Sequence, residues 1–277
     1  YLDDFIGKKG ETQLVCLLLL NCGIIGHHLC SFYCMIDRKT RNTNPDFPAG
    51  EVILFNKDIN WTSFDVVNSV RIFLKHEFGI KKIKVGHAGT LDPLATGLVI
   101  VCTGKKTKEI DSYQAQEKEY TGSFHLGQTT PSYDLETEPD QDFPTDHITP
   151  DLIRQSTTAF TGKIEQQPPI YSALKIAGKK AYEYARQNQE VKIKIREVEI
   201  FEFEITAIEM PEVYFRVKCS KGTYIRSLAN DFGSALKSGA YLSSLCRTAI
   251  GDYKNENALT VDEFKSLYRK TENQPPS

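Results

Sequence analysis

Gly86-His87-Ala88-Gly89-Thr90-Leu91-Asp92-Pro93-Leu94-Ala95-Thr96-Gly97 is the most informative stretch of this 277-residue chain. Glycines, a proline and two threonines crowd around a single acid, Asp92. So many turn-forming residues predict a tight loop with a fixed backbone. A carboxylate held there, with Pro93 directly after it, is positioned before any substrate arrives, which suits a catalytic acid or nucleophile. The plainer reading is also open: an Asp in a turn often accepts hydrogen bonds from the loop's own amides.

The flanks of the loop read clearly. Before it, residues 50–55 (GEVILF) form an apolar run that predicts a strand. Thr62-Ser63-Phe64-Asp65 is a capping-box pattern opening a helix, with Val67, Val70 and Leu74 recurring at helical spacing to about Glu77. After it, residues 98–103 (LVIVCT) predict a buried strand. Residues 118–127 alternate, placing Tyr120, Gly122, Phe124 and Leu126 on one face. Thr149-Pro150-Asp151 starts a helix that ends near Gly162. Residues 191–208 alternate as a long strand, with 213–219 as its expected partner. Helices are expected over 224–237 and 261–269. Strands and helices mix without regular βαβ alternation, which predicts an α+β fold with a mostly antiparallel central sheet flanked by helices.

Composition is that of an ordinary globular protein, with 40% hydrophobic and 25% charged residues. The formal net charge of −2 hides a local separation. Residues 131–153 hold Asp134, Glu136, Glu138, Asp140, Asp142, Asp146 and Asp151 and no Lys or Arg. Residues 163–196 hold Lys163, Lys175, Lys179, Lys180, Arg186, Lys192, Lys194 and Arg196 against Glu165, Glu183 and Glu190. A phosphate backbone feels the local field, so the second segment is a candidate nucleic-acid surface; a solvated charged face is the bland alternative. The seven cysteines show no paired spacing, which reads as a reducing, cytoplasmic protein.

The first 45 residues differ from the rest and are expected to lie outside the catalytic fold. Residues 14–36 are largely apolar. A membrane anchor is one reading, opposed by Asn21, Gly23, Gly26, His27 and His28 near its centre. A signal peptide is another, without a clear small-x-small cleavage site. The third is an upstream stretch outside the mature protein, in line with a start at Tyr1. Cys22, His27, His28, Cys30 and Cys34 fit no zinc spacing, so no metal is expected.

Four motifs in order resemble the TruB family of tRNA pseudouridine synthases, and together they span about residues 48–250. They are G-H-x-G-x-L-D-P-x-A-x-G with Thr103-Gly104-Lys105-x-Thr107-Lys108 after it; Lys118-Glu119-Tyr120; Pro169-Ile170-Tyr171-Ser172-Ala173-Leu174-Lys175 leading to Gly178 through Arg186; and Cys219-Ser220-Lys221-Gly222-Thr223-Tyr224-Ile225-Arg226. The resemblance implies a pseudouridine-synthase fold with an RNA-clamping insertion, and an isomerase that turns a T-loop uridine of tRNA into pseudouridine. It implies base flipping, no metal and no cofactor. By resemblance, Asp92 is the catalytic carboxylate, Arg226 its ion-pair partner, and Tyr120 the active-site tyrosine. Tyr224 and Leu245 are implied to pack beside the base, Lys108 to support the network, and His87 to fill the gap in the RNA stack. The partner is implied to be the T-arm of tRNA, bound by a monomer.

Two departures from the family stand out. Lys57-Asp58-Ile59-Asn60-Trp61-Thr62-Ser63 keeps the family's lysine and serine but lacks its Pro-x-Gly, so Asn60 is expected to take the left-handed position. Residues 251–277 are expected to form a short helix and tail, too short for the PUA-type RNA-binding module many members carry. A second reading, a tRNA-folding helper that binds without turnover, keeps the same grip without the chemistry.

Overall fold

The structure, a computed structural model, describes residues 35–172, 174–176, 178–187, 189 and 191–269. The apolar segment up to residue 34, with its four cysteines and two histidines, lies outside the described residues, as does the tail from 270. No helix among the described residues is long and apolar enough to cross a membrane.

The chain runs β1 (Met35–Ile36), β2 (Val52–Lys57), α1 (Ser63–Glu77), β3 (Val85–His87), β4 (Thr96–Thr103), a 3-10 turn (Gly104–Glu109) and α2 (Ile110–Ala115). It continues with β5 (Lys118–Leu126), β6 (Gln128–Thr129), β7 (Gln141–Asp142), α3 (Pro150–Ser156), β8 (Gly162–Gln166), β9 (Lys175–Ile176), β10 (Lys179–Lys180) and α4 (Ala181–Ala185). It ends with β11 (Arg196–Glu209), β12 (Glu212–Cys219), α5 (Ile225–Ala235), β13 (Ala240–Ile250), β14 (Tyr253–Lys254) and α6 (Val261–Tyr268).

One ten-stranded sheet organises the molecule, in the order β1-β2-β4-β13-β5-β12-β11-β8, with β3 added on β4 and β14 on β13. Only β1 with β2 and β4 with β13 pair parallel, so the sheet is mainly antiparallel and the fold is α+β, as the sequence predicts. The expected partnership of β11 and β12 is present. The expected start at residue 191 is not: the strand begins at Arg196, and residues 191–195 belong to the insertion between β8 and β11.

Strand β13 was not visible in the sequence, yet it sits centrally between β4 and β5. Two register shifts, at Leu242/Ser244 and Arg247/Ala249, break its alternation. Each bulge flips the residues that follow it to the other face. Gly97, with φ of 101°, permits the parallel approach of β4 to β13: a Cβ there would lie 2.4 Å from the Arg247 carbonyl oxygen.

Packed structure continues on both sides of residues 46–250, and the expected C-terminal helix is present as α6. Met35 and Ile36 are buried and pair with Val52 and Ile53, so the packed fold begins before residue 46. At the other end, Phe264 of α6 is fully buried, with ring centroids 5.4 Å from Phe55 and 5.5 Å from Phe73. Arg38 meets Glu263 at 2.9 Å, tying the two ends of the described chain to one another.

Glu51, beside β2, is buried and accepts hydrogen bonds from the Asp46 amide at 2.9 Å and the Asn42 side chain at 3.2 Å. Burial pushes its carboxyl from the ordinary 4.5 up to about 7, and these hydrogen bonds only partly oppose the rise. The unfolded chain therefore loses this proton at lower pH than the folded one. Stability attributable to Glu51 is full below about 4.5 and falls as pH rises to about 7. Urea unfolding across this pH window should show that decline in the wild type and a flatter profile in Glu51→Gln.

Candidate active site

The Asp92 loop joins β3 to β4 and is braced from below by the segment between β2 and α1. The Ser63 hydroxyl accepts from the Leu91 amide at 2.8 Å. The Asn60 amide donates to the Pro93 carbonyl at 2.8 Å, and Asn60 takes the expected left-handed conformation, with φ of 66°. Lys57, 1% exposed, donates from Nζ to the carbonyls of Asp58, Trp61 and Pro93. Burial brings its pKa down to about 8, against the pull of the Asp92 charge.

A second buried cation holds the loop from the sheet side. Arg247 on β13, also 1% exposed, donates from Nε to the Leu98 carbonyl at 2.8 Å and from Nη2 to the Gly89 carbonyl at 3.1 Å. Gly89 has φ of 96°, a left-handed conformation that glycine adopts without strain. The loop is thus fixed by two cations and a serine rather than by its own turns alone.

Asp92 points toward Arg226 at the start of α5. Arg226 Nη2 lies 2.9 Å from Asp92 Oδ2, and Nε lies 3.4 Å from Asp134 Oδ2. Nη1 donates to the Tyr171 carbonyl at 2.8 Å and the Ser132 carbonyl at 3.3 Å. Arg226 is buried, while the Asp92 side chain keeps 42% of its surface open, toward the cavity. Burial among protein atoms pushes the Asp92 carboxyl above the usual carboxylate range, and the Arg226 charge pulls it back toward ionisation.

The cavity in front of Asp92 has a volume of about 740 Å³. Residues 89–92, Tyr120, Leu174, Arg196, residues 220–226, Leu245 and Arg247 are in its wall. Tyr120 stands on β5, opposite Val217 on one side and Arg247 on the other. Burial pushes its hydroxyl pKa up, with Arg247 acting against the rise. Tyr224 is fixed through its backbone: its amide donates to Gln166 Oε1 at 2.8 Å, and its carbonyl accepts from Gln166 Nε2 at 3.0 Å. The Arg196 guanidinium lies 4.6 Å from the centre of the Tyr224 ring, a cation–π contact at the cavity rim. Ser227 of α5 donates to the Gln167 carbonyl at 2.7 Å, next to the same strand end.

Asp92, Tyr120, Tyr224, Arg226 and Leu245 therefore converge on one cavity. His87 and Lys108 do not line it. His87 ends β3, half-buried, with its pKa held down by burial. Lys108 is exposed on the 3-10 turn, away from the cavity wall. The sequence reading missed the bracing roles of Lys57, Arg247, Asp134 and Gln166. Arg247 carried a signal, a lone cation in an apolar run. Asp134 had none, being one of seven acids in an acidic stretch.

Removing Arg226 leaves Asp92 and Asp134 facing each other with no cation between them. Arg226→Ala should lower the unfolding free energy by about 3–5 kcal/mol near neutral pH. The loss should shrink as pH falls and Asp92 takes up its proton, and Asp134→Asn in the same background should restore part of it. Chemical denaturation at several pH values reads all three effects.

A family profile described as "TruB family pseudouridylate synthase (N terminal domain)" matches residues 75–225. The chain is 54% identical over 224 residues to tRNA pseudouridine synthase B of Flavobacterium johnsoniae, covering 80% of this chain and 98% of that relative. It is 52% identical over 219 residues to tRNA pseudouridine synthase B of Phocaeicola vulgatus, covering 79% of this chain and 93% of the relative. Among solved structures, a chain in the crystal structure of a Cbf5-Nop10-Gar1 complex superposes with a TM-score of 0.60 at 30% identity. That match covers 79% of this chain but 54% of the other, so this chain spans about half its length. With a match of this extent and identity, joined to the motifs and the cavity above, the chain belongs to the TruB family of pseudouridylate synthases.

Proposed function

We propose that this protein converts a uridine in the T-loop of tRNA, at position 55, to pseudouridine, with Asp92 as the catalytic carboxylate. The observation that carries this reading is the Asp92–Arg226 pair, 2.9 Å apart, at a cavity walled by Tyr120, Tyr224 and Leu245. The names of the curated relatives support the tRNA substrate.

The target nucleotide leaves its stack and enters the cavity, which costs a few kcal/mol of unstacking. The aromatic walls, Tyr120 and Tyr224, and the apolar Leu245 offer the flipped uracil surfaces to pack on. The C1′–N1 bond breaks, the uracil turns, and C5 bonds to C1′. The proton on C5 then leaves, and N1 ends the cycle protonated, so the reaction is an isomerisation with no net change in atoms or electrons. Asp92 acts either as nucleophile or as a base toward the ribose, and it is ionised in both versions. Arg226 keeps it so in a buried setting. Tyr120 stands where it can contact the base during the turn, and the chemistry requires no cofactor. The protein is expected to act as a monomer in the cytoplasm.

An unmodified tRNA transcript incubated with the enzyme should gain one pseudouridine in the T-loop, located by position-specific mapping. Asp92→Asn should reduce turnover on the order of 10³-fold or more while keeping tRNA affinity. Tight binding without product in the wild type would favour a folding helper instead. In the active enzyme, kcat/KM should fall as pH drops through the Asp92 pKa. Because burial raises that pKa, the fall should begin above the ordinary 3.8. Arg226→Lys should shift the fall to higher pH, because one ammonium cannot serve Asp92 and Asp134 from separate nitrogens as the guanidinium does.

A further inference from the structure

Across the second half of α1 and the segment leading from it to β3, five cations surround a shallow cavity of about 610 Å³: Arg71, Lys75, Lys81, Lys82 and Lys84. Ile72, Ile80 and Ile83 complete its lining, and Ile72 is 50% exposed. Glu77 is the one acid between residues 71 and 84. Arg71 is engaged, donating to the Val85 carbonyl at 3.1 Å. Lys75, Lys81, Lys82 and Lys84 are exposed, and none forms an ion pair among the described residues.

An ordinary solvated face interleaves its charges, and this protein has one for comparison. On β11 and β12, Arg216 meets Glu119, Glu202 and Glu204, and Lys218 meets Glu117. The lysine patch lacks that neutralisation in a chain whose formal net charge is −2. Clustered, unpaired ammonium groups over an apolar floor suit a polyanion whose sugars can rest on the floor while its phosphates reach the rim.

Its place in the sheet fits the same occupant. Lys84 leads directly into β3, whose three residues at roughly 3.3 Å each put it about 10 Å from His87 and the catalytic loop. The insertion, by contrast, lies between β8 and β11. From β4, which carries β3, to β11 there are four strand steps, across β13, β5 and β12, or about 19 Å at the usual spacing of roughly 4.8 Å. The active-site cavity draws its wall from both sides of this span.

We propose that Lys75, Lys81, Lys82 and Lys84 form a second RNA-backbone site, which binds phosphates of the same tRNA on the flank of the cavity away from the insertion. This rests on the proposed tRNA substrate. The site contributes affinity and register and leaves the chemical step untouched, because it contacts backbone remote from the flipped base.

The test compares the full chain with Lys81→Ala/Lys82→Ala/Lys84→Ala, with the same positions changed to Arg, and with Lys39→Ala/Arg154→Ala/Lys254→Ala, which removes equal charge elsewhere. Binding of the unmodified tRNA transcript is measured over a salt series, together with KM and kcat. Each lost phosphate contact should lower the slope of log affinity against log salt by about 0.7–0.9. The patch alanine variant should therefore lose about 2 to 3 from that slope and show KM raised roughly tenfold with kcat unchanged, while the Arg variant stays near wild type. An unchanged slope, or an equal loss in the distant control, overturns the proposal. A slope that depends on the patch in a protein that forms no pseudouridine would sink the proposed reaction and leave the RNA site standing. Normal turnover with a patch-independent slope would do the reverse.

Discussion

The guanidinium of Arg226 joins three parts of the chain that lie far apart in sequence. It reaches Asp92 in the loop between β3 and β4, Ser132 and Asp134 in the acidic stretch after β6, and Tyr171 in the insertion. Each of these segments is irregular, and irregular chain needs an anchor to hold one geometry. Arginine suits this role because it stays charged and presents donors in several directions at once. The two carboxylates repay its burial, and the two carbonyls satisfy hydrogens that would otherwise be stranded. The same contact that orients the segments also pulls Asp92 toward ionisation, so one ion pair serves both the architecture and the electrostatics of the cavity.

The loop bearing Asp92 shows a related solution. Lys57 and Arg247 are both almost wholly buried and both spend their hydrogens on main-chain carbonyls rather than on carboxylates. Burying a cation in this way costs desolvation that an apolar side chain would avoid. What the fold gains is a loop whose backbone is held at Gly89, Pro93 and Leu98 from two independent elements. In the proposed reaction the Asp92 carboxylate must hold its place as RNA arrives, and this bracing limits its motion before binding.

The sequence was most legible where local rules coincide with the tertiary structure. Thr62 and Asp65 form the reciprocal cap their spacing predicts, and Asn60 takes the left-handed turn. The β11–β12 pairing follows from alternation. Strand β13 was hidden because its bulges interrupt the period of two, and its adjacent serines look like a turn. The site divided in the same way. Asp92, Tyr120, Tyr224 and Arg226 sit in recognisable motifs and converge on the cavity, where Leu245 of β13 joins them. Asp134 and Gln166 act only through partners far along the chain, Arg226 and Tyr224, so no local pattern could mark them. Lys108 lies in a motif too, and its side chain is exposed on the 3-10 turn.

Gln166 is the last residue of β8, and its amide exchanges two hydrogen bonds with the backbone of Tyr224. Ser227 holds the next carbonyl, that of Gln167, and Arg226 holds that of Tyr171. The root of the insertion is therefore stitched to the first turn of α5 at successive points. Residues 166–171 are therefore held in one geometry relative to Tyr224 and Arg226. A tyrosine in the cavity wall thus keeps its place because the strand end beside it grips its main chain from both sides, leaving the ring to meet whatever enters.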